Sequence, residues 1–128
     1  MQIAIFGTGS VGGYFGGRLA QAGEDVIFIA RGEHLNAMRT HGLRVDSING
    51  DFVVQPVQAT DDTSKTGEVD MVLVGVKAWQ MSEAAEAMRP MIGPESFVLP
   101  LQNGLEAPAQ LSEILGDQHV LGTKPNKN

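Results

Sequence analysis

The sequence predicts an α/β fold, a mainly parallel sheet wound with helices on both faces. Three observations carry that expectation: β-rich apolar runs alternate with helix-like stretches, the runs read as continuously apolar, and the first of them breaks into a glycine loop that opens a helix. A strand apolar along its whole length is covered on both faces, the mark of a parallel sheet between helices.

The elements follow in order. QIAIF (2–6) is the first strand, and Ser10 to Ala22 is a helix that Gly23 stops. DVIFIA (25–30) is the second strand. LRVDSINGDFVVQPVQA (43–59) places Asn49-Gly50 between two β-prone runs, a strong hairpin signal, and reads as an antiparallel hairpin inserted before the third strand. DMVLVGV (70–76) is that third strand. AWQMSEAAEAMRPMIG (78–93) reads as a helix halting near Pro90 and Gly93, followed by a strand, SFVLPL (96–101). GLEAPAQLSEILG (104–116) is a helix, and HVLG (119–122) is a weaker last strand. Residues 1–122 are expected to form one domain and 123–128 a polar tail, TKPNKN.

Composition limits the partners. With 128 residues there is room for one domain with a real core. A formal net charge of −6 is the wrong sign for the basic stripe of a nucleic-acid binder. The absence of cysteine excludes disulfides and thiolate metal sites and suits a reducing cytoplasm. No apolar run approaches the roughly 18 residues a membrane span requires, so a soluble protein is expected. His34, His41 and His119 are scattered without metal-ligand spacing, and Ser112 and Glu113 lie in an amphipathic stretch with nothing to mark a nucleophile. Trp79 reads as packing at the sheet edge or walling a pocket.

Gly7-Thr8-Gly9-Ser10-Val11-Gly12 matches G-x-G-x-x-G in its required setting, after a strand and opening a helix. Gly7 permits the tight turn, Gly9 lets backbone approach a pyrophosphate, and Gly12 lets the helix close on the sheet. The helix N-terminus offers unpaired N–H groups to phosphate. Gly12, Gly13, Gly16 and Gly17 each cost the helix about 1 kcal/mol against alanine, which makes sense where the helix must lie very close to sheet and ligand. A bare structural turn is the alternative.

Which dinucleotide is read at the end of the second strand. An acid about 20 residues past the loop binds the ribose 2′-hydroxyl of NAD, whereas arginine suits the 2′-phosphate of NADP. Arg31 stands there and favours NADP, with Glu33 a nearby rival for NAD. Two later strands deliver Lys77 and Gln102-Asn103-Gly104 to the same carboxyl edge, where ligands of open α/β sheets bind. A lysine there can hold a ribose hydroxyl or a carboxylate, and an asparagine can donate and accept.

GTGSVGGYFGGRLAQAG, the Ala30-Arg31 pair, VGVKAWQ (74–80) and LPLQNGLE (99–106) together resemble the ketopantoate reductases (2-dehydropantoate 2-reductases), over about residues 1–122. The resemblance implies a Rossmann-type domain and NADPH-dependent reduction of 2-dehydropantoate to pantoate, a step toward pantothenate and coenzyme A. It assigns the pyrophosphate to Gly7 through Gly12, the 2′-phosphate to Arg31, and the nicotinamide ribose and keto-acid substrate to Lys77 and Asn103. It also implies a second, helical domain carrying a general-acid lysine and a substrate-binding glutamate, which these residues do not include. The expectation is therefore a cofactor-binding half that turns over poorly alone and self-associates through the face such a domain would cover. A non-catalytic NADP-binding module, and the cofactor domain of another 2-keto-acid or opine dehydrogenase, are the competing readings.

Overall fold

The computed structural model describes residues 1–7, 10–101 and 106–121. Five strands form one parallel sheet: β1 (Gln2–Phe6), β2 (Asp25–Ile29), β5 (Gln58–Thr60), β6 (Val69–Val74) and β7 (Ile92–Pro100), in the order β5-β2-β1-β6-β7. β3 (Leu43–Val45) and β4 (Phe52–Val54) pair antiparallel as a separate two-stranded sheet. The helices are α1 (Ser10–Gln21), α2 (Gly32–His41), α3 (Met81–Met88) and α4 (Glu106–Leu115). The chain winds outward from β1 to one edge through β2 and β5, then restarts beside β1 with β6 and runs to the other. The strand order therefore reverses between β1 and β6, which makes the crevice above their carboxyl ends a topological switch point.

Side-chain alternation divides the core in two. Ala4, Phe6, Val72, Val74 and Val98 face a layer built from α3, α4 and Val120, with Met81, Ala85, Met88, Met91 and Leu111 buried against them. Ile3, Ile5, Val26, Phe28 and Leu73 face the opposite way, onto Met38 of α2, Leu43 and Val45 of the hairpin, and the half-buried Tyr14 and Leu19 of α1. Both sets of the period-2 strand pattern are thus covered, which is why the strands carry no polar alternation.

The close approach of α1 to the sheet has a measurable cause. A Cβ on Gly12 would lie 1.9 Å from the Gly7 carbonyl oxygen, and one on Gly16 would lie 2.6 Å from the Phe28 ring. Only hydrogen fits in those places, so the helical glycines set the spacing between α1 and the carboxyl end of β1.

The structure corrects four expectations. A helix, α2, occupies 32–41, where the sequence suggested none; its single apolar pair, Leu35 and Met38, leaves most of its surface to solvent. The hairpin does not lead directly into the central strand, because β5 intervenes as an edge strand of the main sheet. The helix expected over 78–93 is shorter: a 3₁₀ turn spans Ala78–Gln80, α3 ends at Met88, and a second 3₁₀ turn over Arg89–Met91 leads into β7 at Ile92. Pro90 ends the helix as expected, but Gly93 lies in the strand. The weak strand over 119–122 is reduced to an isolated parallel bridge, Val98 to Val120, with Leu121 N–H donating to Val98 O at 2.8 Å.

β7 starts four residues early through an irregularity. Val69 pairs Ile92 while Met71 pairs Phe97, so the chain between Ile92 and Phe97 makes an excursion against two steps of β6. Ser96 closes it. Its hydroxyl, buried, donates to Val69 O and accepts the Gly93 N–H at 2.8 Å, while its carbonyl oxygen lies 2.8 Å from His119 Nδ1.

Candidate cofactor site

The carboxyl ends of β1 and β6 are locked level with one another. Gly75 N–H donates to Phe6 O at 2.8 Å, continuing the ladder one step beyond the strands, and Leu101 N–H does the same to Val74 O at 2.8 Å. Gly7 turns out of this ladder at φ +83°, and a Cβ there would lie 2.8 Å from the Gly75 carbonyl carbon and the Val76 nitrogen. Gly7, Gly12 and Gly75 therefore meet backbone to backbone at the switch point, so closely that there is no room for a methyl group.

Above this contact lies a cleft of about 480 Å³, within the range of small-molecule sites. Its floor is Phe6, Gly7, Gly75 and Val76. One wall comes from the end of β2, with Ile29, Ala30, Arg31 and His34. The other comes from Lys77, Gln80 and the first half of α3, with Glu83, Ala84 and Ala87, and the far end is closed by Asp61 and Thr63 after β5.

Local chemistry positions the polar members. Arg31 is the N-cap of α2 in extended conformation (φ −147°), and Gly32 follows at φ +64°. That left-handed step turns the chain sharply, leaving Arg31 at the strand end. Ala30 N–H donates to Thr60 O at 3.1 Å, which sets Asp61 level with Arg31. Lys77 is held by a reciprocal pair: its N–H donates to Gln80 Oε1 at 3.1 Å, and Gln80 N–H donates to Lys77 O at 2.9 Å. The Gln80 side chain thus supplies one half of a capping box, and the return bond is a backbone bond of the 3₁₀ turn that leads into α3. Thr63 donates its hydroxyl to Ala87 O, tying the segment after β5 to α3.

Of the residues singled out in the sequence, Gly7, Arg31 and Lys77 line one cleft, and Gly12 packs under its floor. Ser10 and Val11 begin α1. Glu33, the rival acid, is exposed on α2 and is not among the lining residues. Thr8, Gly9 and the segment Gln102-Asn103-Gly104 lie outside the described residues. Trp79 does not pack against the sheet edge; it is 79% exposed beside the cleft. His34, Asp61, Thr63, Gln80 and Glu83 were not anticipated as lining residues. Lys77-x-x-Gln80 could have been read as a cap, but nothing local in the sequence marks Asp61 or Glu83, which reach the cleft through topology.

Among the described residues, no cluster of three or more metal-ligating side chains exists and no helix is long and apolar enough to cross a membrane.

Comparison with known proteins finds chains of similar sequence and fold. Residues 3–124 match the family model described as ketopantoate reductase PanE/ApbA. A 2-dehydropantoate 2-reductase of Nostoc sp. is 37% identical over 121 residues, covering 94% of this chain and 38% of that protein. The crystal structure of 2-dehydropantoate 2-reductase from Geobacter metallireducens superposes with a TM-score of 0.87 at 38% identity, covering 94% of this chain and 40% of that one. A ternary structure of D-mandelate dehydrogenase with NADH and anilino(oxo)acetate superposes with a TM-score of 0.83 at 25% identity, covering 94% of this chain and 39% of that one. The chain spans about two fifths of the length of the curated relatives it matches.

Proposed function

Because the chain belongs to the ketopantoate reductase PanE/ApbA family, we propose that it binds NADPH and serves as the cofactor-binding part of a 2-dehydropantoate 2-reductase. The observation that carries this reading is the cleft at the switch point, where Gly7, with no room for a Cβ, forms part of the floor and Arg31 and Lys77 line the walls. The residues fit a dinucleotide phosphate: the backbone around Gly7 and the N-terminus of α1 offer N–H groups to a pyrophosphate, and Arg31 offers a planar fork of donors to a 2′-phosphate.

When bound, the reduced nicotinamide supplies the hydride for a keto-acid carbonyl. Lys77, its backbone held by the bonds to Gln80, brings a positive charge to the carboxyl end of β6, where it would attract the substrate carboxylate or steady charge on the reduced oxygen. Asn103 is proposed to contribute a second polar contact there. Orientation of the substrate and exclusion of water need a second wall, as does proton delivery to the reduced oxygen. These are assigned to the portion of the relatives beyond the two fifths that this chain matches.

Titration calorimetry of the chain with NADPH and NADH tests the reading. NADPH is expected to bind more tightly, and Arg31→Ala is expected to weaken NADPH by roughly 10- to 100-fold, the loss of a charge-assisted hydrogen-bonded pair, while leaving NADH nearly unchanged. Binding of neither nucleotide would sink the proposal.

A further inference from the structure

The site reading leaves Glu83, a charged residue of the cleft, unassigned. Glu83 lies in the first turn of α3 and lines the cleft opposite Arg31, and the two side chains form an ion pair, Arg31 Nη2 to Glu83 Oε1 at 3.9 Å. The elements that carry them are not neighbours. Arg31 follows β2 and Glu83 follows β6, and β1 lies between those strands in the sheet. The pair therefore joins segments that follow two strands on either side of β1, within the cleft that Gly7 also lines.

The pair is loose. Its atoms stand at the outer limit of an ion-pair distance, and the two side chains are 75% and 68% exposed. Pairs of this kind contribute little to stability. A helix N-terminal acid gains something from the helix dipole wherever it points, so stability alone does not explain a reach across the crevice. What the geometry does supply is a carboxylate that occupies the guanidinium assigned to the 2′-phosphate.

We propose that Glu83 sets cofactor selectivity by competing with the 2′-phosphate for Arg31. This rests on the assignment of the cleft to NADPH. A phosphate arriving at Arg31 must displace the carboxylate; a nucleotide with a 2′-hydroxyl meets no such obstacle. Glu83 thereby lowers the preference for NADPH over NADH and acts through Arg31, as a positioning residue that touches no reacting atom.

The experiment is calorimetry of the chain and of Glu83→Gln, Arg31→Ala and the double variant, each with NADPH and NADH at low and high salt. Glu83→Gln is expected to tighten NADPH about two- to five-fold, the size of effect exposed ion pairs show, with NADH changed much less. The gain should shrink at high salt and vanish in the Arg31→Ala background. Thermal unfolding of the unliganded proteins gives the structural contribution of Glu83 to α3, which cannot move the NADPH-to-NADH ratio. An unchanged or lower ratio in Glu83→Gln, with NADPH still bound, overturns this inference and leaves the functional reading standing. Failure of the parent chain to bind either nucleotide overturns both.

Discussion

Tyr14 is the only tyrosine in the chain, and its surroundings make a titration readable. The Arg18 guanidinium lies 5.4 Å from its ring centroid and 4.4 Å from that of Phe52, joining α1 to the hairpin. The phenol is held below its ordinary value of 10.0, chiefly by hydrogen bonding to Arg18, with burial opposing and the charge of Arg18 and a bond to Asn49 assisting. The sign follows. A depressed acid adds stability above its unfolded midpoint, near 10.0, and loses it as pH falls through the lower folded midpoint, so this group contributes nothing at neutral pH. An ultraviolet titration should place the phenolate transition below that of free tyrosine, and Arg18→Ala should move it upward. A transition unmoved by Arg18→Ala would show that the arginine does not govern it. Residues such as Gly7, Arg31 and Lys77 were legible in the sequence because each lies at a strand end with its motif around it. Glu83 and Asp61 were not, because only the winding of the chain brings α3 and the end of β5 to the same cleft.

At the scale of elements, the excursion at the start of β7 depends on one hydroxyl. Ser96 is buried, donates to Val69 O and accepts from Gly93 N–H, so Ser96→Ala strands a backbone donor and a backbone acceptor away from water. An unsatisfied buried group costs about 1–3 kcal/mol. Urea unfolding of Ser96→Ala should show a loss in that range without a change in slope; a loss below a few tenths would mean the excursion relaxes to repair itself. The same segment explains why the sequence placed this strand late. Met-rich helix, Pro90 and Gly93 read locally as a helix and its stop, and the serine that holds the early strand acts on Val69, far along the chain. β5 and α2 were missed for a related reason. Gln58–Thr60 carries no apolar run, and α2 buries only Leu35 and Met38, so neither shows the periodicity that marks β1, α1 and β6.

At the scale of the whole molecule, the two edges of the sheet do different work. The amino edge carries Ser96, Val69 and His119, which hold β6, β7 and the segment after α4 together. The carboxyl edge carries Gly7, Arg31 and Lys77, which the functional reading assigns to NADPH. A ligand that binds only the folded chain stabilises it by mass action, about 2.7 kcal/mol when present at one hundred times its dissociation constant. Perturbations at separate sites with no shared partner add. Saturating NADPH should therefore raise the unfolding midpoint of Ser96→Ala by the same free energy as it raises that of the parent chain, although Ser96→Ala starts lower. Arg31→Ala should start close to the parent, because its exposed ion pair with Glu83 contributes little, and should lose about half or more of the NADPH increment. Thermal and urea unfolding of the three proteins with and without NADPH check this. An increment reduced in Ser96→Ala would mean that the amino edge is coupled to the cleft through β6, the strand that runs from Val69, the Ser96 partner, to the Gly75 floor.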